Sequence, residues 1–384
     1  MNVWLYNGSL HAPPFIHLLQ RALRRQGLEA PIVGFDDRKE PVTGNVISLG
    51  RTATGMAFAA GALARMARSG RLQACLKLRE EGSRLASLKR IALWAAVRAH
   101  RPDILHLQWA SHLSYFTWLF EEPARPRIVL SLRGRLIHSA PIADLNLRSL
   151  YRTFFPQVDA FHAVSQAMAE AALKYGASAD KISVIYSAAE ATLQQPVPQP
   201  GSEPLRLLSV GRHHWIKGYR YALEAVALLR DRGLPVRYTI IAGGDPEETR
   251  FHIRELDIEP HVRLLPALPQ AEVFVHMRNS DGLLLPSLGE GLANVALEAM
   301  AKGCLVLSAD VGGMPELIRD GWNGLLFPAR DVEQLAAKIM QVWHMPPAAR
   351  QQLIRRAQQT LWKRHRPDEM GRRMIRLYQE ILCV

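Results

Sequence analysis

The chain has 384 residues, 48% of them apolar and 22% charged, with a formal net charge of +13. That length allows two domains with sizeable cores, and no apolar run reaches the ~18 residues that a membrane-spanning helix needs. Three cysteines, Cys75, Cys304 and Cys383, are too few and too far apart for a disulfide framework or a metal cluster.

In chain order, the opening MNVWLYNGSLHAPP carries neither a basic leader nor a long apolar stretch, so no secretory signal and a cytoplasmic location are expected. MNVWLY reads as a short buried strand, followed by a turn at Asn7 and Gly8. PFIHLLQRALRRQG is an amphipathic helix with Gly27 as its stop. The excess of positive charge points to an acidic partner. It is concentrated between Arg51 and Arg101, where Arg65, Arg68, Arg71, Lys77, Arg79 and others face only Glu80 and Glu81. Basic residues interleaved there with Ala, Leu, Met and Trp94 suit the anionic cytoplasmic face of a bilayer. The same pattern also describes a solvated helix face. Strand-like runs then recur at DILHLQW, RIVLSLRG, AFHAVS and KISVIYS, alternating with helical patterns, as in a parallel sheet of βαβ units.

EATLQQPVPQPGSEP is rich in Pro and Gln, lacks periodicity and reads as a linker. The alternation then restarts with LRLLSVG, the helical YALEAVALLRDRG, RYTIIAGG, VRLLPA, GLLLPS and CLVLSAD. The expected fold class is α/β, with two Rossmann-like domains of parallel sheet: residues 1–190, a linker at 191–204, residues 205–364, and a last helix at 365–384 that is free to cross back to the first domain. Ligands are expected at the carboxyl ends of the strands.

Two constellations carry chemistry. In PSLGEGLANVALEAMAKG, Glu290 lies just after the strand GLLLPS, flanked by Gly289 and Gly291, while Glu298 lies inside the helix that follows. The N–H groups of Gly291, Leu292 and Ala293 at that helix start suit an anionic or hydroxyl-rich ligand. Two carboxylates beside them suit sugar hydroxyls. A capping glutamate with a satisfied buried partner would share the pattern. In SVGRHHWIKGYRYALEA, Arg212 and Lys217 fall between a strand end and a helix start, where two cations can clamp a diphosphate. Two solvated loop cations would look the same. The adjacent His213 and His214 read as loop residues.

With these motifs in hand, the chain resembles the retaining group 1 (family 4) glycosyltransferases of GT-B fold, whose two domains face a central cleft. EGLANVALEAMAKG is similar to the family's E-x7-E motif, VGR…KG to its phosphate-binding loop, and GGMPELIRDGWNGLLFP to the segment after the next strand. PDILHLQW and HAVSQAMAEAALKYGASADKISVIYS resemble patterns of its acceptor half. The resemblance implies that Arg212 and Lys217 hold the donor diphosphate, with Gly8 approaching it from the other domain. It implies that Glu298 meets the ribose, that Glu290 meets the transferred sugar, and that the amides of Gly291, Leu292 and Ala293 position sugar or phosphate. The loop at Pro266 and Ala267 would lie near the base. It implies sugar transfer from a UDP- or GDP-linked donor to a glycan or lipid-linked acceptor in cell-surface polysaccharide biosynthesis, with no cofactor and no metal. No D-x-D sequence is present.

The chain departs from the family where many relatives carry His and it carries Arg133, in SLRG. Arginine stays protonated and cannot shuttle a proton, but it can hold phosphate or orient an acceptor, so Arg133 is a candidate catalytic residue beside Glu290. His138 is a weaker substitute for that histidine. Leu292 and Ala293 stand where Phe and Gly are more frequent and are candidates to tune the sugar pocket. Alternatives are a GT-B epimerase, an inactive GT-B partner subunit, or a basic nucleic-acid-binding protein. The last lacks zinc-finger spacing and aromatic RNA-binding motifs, so no nucleic-acid partner is expected.

Overall fold

The computed structural model describes residues 1–36, 44–51, 84–190 and 204–383. Arg65, Arg68, Arg71, Lys77 and Arg79, and nearly all of the linker, lie outside the described residues. The chain forms two compact units: Met1–Ile185 with Pro367–Val384, and Tyr186–Arg366. No helix among the described residues is long and apolar enough to cross a membrane.

The first unit is built on a seven-stranded parallel sheet, in the order β3-β2-β1-β4-β5-β6-β7. Its strands are β1 Val3–Ser9, β2 Ile32–Asp36, β3 Val46–Arg51, β4 Ile104–Leu107, β5 Arg127–Leu132, β6 Ala160–Ala163 and β7 Ile182–Val184. Helices cover a parallel sheet on both faces, so its central strands are continuous apolar runs rather than alternating ones. β1, β4 and β6 accordingly begin or run fully buried. β2 and β3 were not distinguished in the sequence. Gly34 in β2 takes a glycine because a Cβ would sit 2.6 Å from the Ser9 carbonyl carbon of β1.

The Pro367–Leu382 helix packs against the Pro14–Arg25 helix of this unit. Gly371 permits the approach, since a Cβ there would lie 2.6 Å from the Ala22 carbonyl oxygen. Further along that helix Tyr378 reaches a buried hydrogen-bonded chain. His106 Nδ1 is 2.7 Å from the Tyr378 hydroxyl and its Nε2 is 2.9 Å from Ser131 Oγ. Ser131 Oγ is 2.9 Å from His162 Nδ1, and His162 Nε2 is 3.0 Å from the Ile185 carbonyl. A carbonyl only accepts, so His162 carries its proton on Nε2 and accepts from Ser131 on Nδ1. Ser131 in turn accepts from His106 Nε2–H, and Tyr378 donates to His106 Nδ1. With both imidazoles neutral, this arrangement gives them one tautomer, protonated on Nε2.

Burial holds these groups neutral: the His106 pKa lies well below its usual value, and those of His162 and His112 are lowered to about 3 and about 4. The sign of the linkage follows. As pH falls below ~6.5 the unfolded histidines take up protons while the folded ones do not. Their contribution is complete above ~6.5 and is lost as pH falls toward the folded values. Unfolding free energy is expected to fall steadily between pH 6.5 and about 4, as read by urea titrations at stepped pH. A flat profile across that window contradicts the buried neutral chain.

The second unit carries a six-stranded parallel sheet in the order β10-β9-β8-β11-β12-β13. Its strands are β8 Leu205–Arg212, β9 Val236–Gly243, β10 Val262–Leu265, β11 Gly282–Leu285, β12 Val306–Ala309 and β13 Leu325–Phe327. β13 falls inside a segment that sequence patterning left unassigned. Tyr186 belongs to this unit, since its hydroxyl donates to Glu316 Oε2 at 3.0 Å, and His365 Nδ1 meets the Ser187 carbonyl at 2.8 Å. The first stretch of the first unit runs to Ile185, whereas a boundary at 190 is expected from the sequence. The order of the sheet reverses between β8 and β11, which pair side by side. Ligand sites of open α/β sheets form at the carboxyl ends of strands at such a reversal.

Candidate active site

Two loops meet at the carboxyl ends of β8 and β11. After β8 a tight turn, Trp215–Lys217, leads into the Tyr219–Asp231 helix through Gly218, at φ +63°. A Cβ on Gly218 would collide with the Pro286 carbonyl oxygen, so the two loops touch backbone to backbone only because this residue is glycine. Leu288 N–H donates to the Ile216 carbonyl at 2.7 Å and fixes the contact.

That contact brings together Lys217 and Glu290. Lys217 Nζ donates to Glu290 Oε1 at 2.7 Å, and Ser287 Oγ donates to the same oxygen at 2.8 Å. The Lys217 and Glu290 side chains are 20% and 13% exposed, so the pair is screened far less than a surface ion pair. The resemblance places Lys217 on a diphosphate and Glu290 on a sugar; the structure pairs their two side chains with each other. The loop after β12 rests on Glu290. Gly312, at φ +54°, has no room for a Cβ against the Glu290 carbonyl oxygen. Beneath the pair, the Tyr219 hydroxyl is buried without a hydrogen-bond partner among the described residues, and burial raises its pKa far above the phenol range. Gly211 leaves space for it, since a Cβ there would lie 2.8 Å from that hydroxyl. Arg212 is exposed at the end of β8 and makes no ion pair among the described residues. His213 meets Thr249 Oγ1 at 2.9 Å, and His214 Nδ1 accepts from Ile216 N–H at 3.2 Å, so both histidines shape the loop.

Glu298 sits in the Asn294–Ala301 helix, accepting from Gln270 Nε2 at 2.7 Å. Burial raises its carboxyl pKa, against the opposing effects of that bond and of Lys302. Ala293 is the N-cap and offers no capping side chain, which leaves N–H groups of the first turn open to a ligand. The Asn294 Oδ1 beside them is buried and has no hydrogen-bond partner among the described residues. Leu292 and Ala293 have buried side chains. The pair expected to tune a sugar pocket therefore offers a ligand its backbone, because the apolar side chains pack into the protein. The loop at Pro266 and Ala267 follows β10, and a Cβ on Gly243 would lie 3.5 Å from the Ala267 side chain.

The first unit has its own cluster at the ends of β1, β4 and β5. Gly8 has φ +84°, and a Cβ on it would lie 2.8 Å from the His112 ring. Asn7 Oδ1 accepts from Trp109 Nε1 at 2.8 Å. Arg133 stacks over Phe15 at 4.7 Å and donates to Gln108 Oε1 at 3.2 Å. Burial lowers its guanidinium pKa to about 10, which leaves it cationic at neutral pH. Gln108 Nε2, His112 Nδ1 and Arg133 Nε are buried with no partner among the described residues. Unpaired buried polar atoms are uncommon and costly, so three in one cluster mark a place built to receive polar groups. The sequence reading singled out Gly8 and Arg133 in this cluster but not Gln108 or His112. His138 is exposed at the end of the short Arg135–His138 helix.

Each unit matches a family. Residues 13–188 match the "Glycosyl transferase 4-like domain" and residues 192–360 match "Glycosyl transferases group 1". The chain thus carries a glycosyl transferase 4-like domain followed by a glycosyl transferases group 1 domain. It is 29% identical over 269 residues to the amylovoran biosynthesis glycosyltransferase AmsK of Erwinia amylovora, covering 67% of the chain and 66% of the relative. It is 34% identical over 171 residues to a D-inositol 3-phosphate glycosyltransferase of Corynebacterium glutamicum, covering 40% and 41%. The match thus spans just under two thirds of the length of the first of these relatives and less of the second. The chain shares its fold with sucrose-phosphate synthase of Thermosynechococcus elongatus, with a TM-score of 0.77 at 16% identity over 99% of both chains. It also matches Anabaena HepE, solved with UDP and glucose, with a TM-score of 0.76 at 17% identity over 99% and 100%. The fold is GT-B.

Proposed function

We infer that the protein transfers a sugar from a UDP- or GDP-linked donor to a hydroxyl of a glycan or lipid-linked acceptor, in cell-surface polysaccharide biosynthesis. The observation that carries this reading is the Lys217–Glu290 pair at the reversal of the second sheet, beside exposed Arg212 and the uncapped Asn294 helix. The family matches and the names of the relatives support it.

The donor diphosphate lies on Arg212 and Lys217, whose charge stabilises the leaving group as the anomeric C–O bond breaks. Glu290 accepts hydrogen bonds from the transferred sugar, and Glu298 from the ribose. As the bond breaks, positive charge builds on the anomeric carbon and ring oxygen. The acceptor hydroxyl attacks from the same face and gives its proton to the departing phosphate, so configuration is retained. Gly8 and Arg133 serve the diphosphate or the acceptor. The protein's own cations neutralise the diphosphate, with no metal ion required. The protein works on the cytoplasmic side, with the basic segment near Arg65–Arg71 meeting anionic membrane.

The test follows nucleoside diphosphate release from UDP- and GDP-sugars, with and without excess EDTA, and reads the anomeric coupling constant of the product. Release that persists in EDTA with retained configuration is expected. Loss restored by a divalent ion contradicts the metal-free reading, and inversion contradicts the same-face path.

A further inference from the structure

A hollow of about 160 Å³ opens where the donor loops, at Trp215, Gly218 and Leu288, face the Glu247–Glu255 helix. Its walls include Trp215, Tyr221, His252, Arg220 and Glu248. Trp215 is 54% exposed, which is a large apolar surface to leave in water. A single exposed aromatic needs no explanation. This one is different because it is rigidly presented. His214 Nδ1 holds the Ile216 N–H, Leu288 N–H holds the Ile216 carbonyl, and Gly218 closes the turn under Pro286. The His214 ring lies against the indole, 5.6 Å between centroids and tilted by 33°. A platform fixed in this way loses little freedom when it binds.

The other walls offer hydrogen bonds. Glu248 opens the Glu247–Glu255 helix and makes no ion pair among the described residues. Arg220 is exposed and shares its guanidinium with Glu224 at 2.7 Å. His252 meets Glu255 at 3.1 Å. An aromatic face walled by a carboxylate, a guanidinium and an imidazole matches a pyranose ring, which has an apolar C–H face and a rim of hydroxyls. A lipid chain would leave the polar wall unpaired, and a phosphate would be opposed by Glu248.

We propose that this hollow is a saccharide subsite that takes a sugar unit of the acceptor glycan, away from the unit that reacts. The proposal rests on the transferase reading above, and it adds a site and makes the acceptor a carbohydrate chain. It involves none of the residues assigned to the donor.

The test uses the full chain on an immobilised array of bacterial oligosaccharides, with UDP calorimetry on the same preparations. The parent retains a subset of glycans. Trp215→Ala lowers that retention by up to about tenfold, the scale of an aromatic contact, while Trp215→Phe keeps most of it. Glu248→Gln, on the Glu247–Glu255 helix rather than on the donor loop, lowers retention in the same direction and leaves UDP affinity within about threefold, since among the described residues it shares no partner with Lys217 or Glu290. Trp362→Ala, an exposed ring on the Pro347–Arg364 helix that does not line the hollow, keeps full retention. A parent that retains no glycan, a Trp215→Ala variant that retains as much as the parent, or equal loss in Trp362→Ala overturns the subsite. Failure of the parent to bind UDP or any other nucleoside diphosphate tells instead against the donor reading.

Discussion

Replacing Lys217 with alanine is expected to weaken nucleoside diphosphate binding by ~1.5–3 kcal/mol, the range of a hydrogen bond to a charged group. That is roughly a tenfold to hundredfold rise in Kd. Two effects add. The phosphate oxygens lose a point charge, and among the described residues Glu290 keeps Ser287 as its one remaining side-chain donor, at 2.8 Å. An unneutralised carboxylate at 13% exposure then repels the incoming diphosphate. Glu290→Gln separates the two effects. It removes that repulsion while leaving Lys217 in place, so diphosphate affinity is expected to hold or rise while sugar transfer falls. Calorimetry with UDP and GDP, alongside turnover, reads both. Unchanged diphosphate affinity in Lys217→Ala contradicts the clamp.

Gly312→Ala is expected to damage both the fold and the site. Alanine at φ +54° costs ~1–2 kcal/mol of backbone strain. The added methyl would also overlap the Glu290 carbonyl oxygen, which is backbone and cannot rotate away. Overpacking of that kind costs a further ~1–3 kcal/mol. A loss of about 2–5 kcal/mol in urea unfolding is therefore expected. Because the clash falls on Glu290 itself, the surviving folded fraction is expected to bind donor more weakly as well. Gly321→Ala is the control, since Gly321 also has positive φ, at +68°, but a Cβ there meets nothing within 4 Å. It should lose stability through strain alone and keep donor affinity. Equal effects at the two positions contradict the claim that Gly312 shapes the loop of Glu290.

The sequence made the two-unit α/β architecture legible where strands are buried on both faces. RIVLSL, LRLLSV and GLLL are continuous apolar runs bounded by turns, and each is a strand. β2 and β3 were hidden because a glycine interrupts each apolar run. β13 was hidden because its three residues lie inside a loop motif. The candidate site was legible in its parts. Glycines at strand ends marked the loops of Arg212, Lys217 and Glu290. The ion pair between Lys217 and Glu290 was not legible, because the two residues are 73 positions apart and meet only when β8 lies beside β11. His112 was missed for a different reason. In ASHLSYF a lone histidine among apolar and aromatic residues reads as packing, and its unpartnered Nδ1 is a property of the folded surroundings.

The most direct test of the central claim is a calorimetric panel of UDP, GDP, ADP, TDP and NAD against the full chain in the presence of EDTA, repeated with Lys217→Ala and Glu298→Ala. The expected result is preferential binding of one nucleoside diphosphate, weakened in both variants. Binding of NAD alone, or diphosphate binding that neither substitution alters, would contradict a donor site at the ends of β8 and β11.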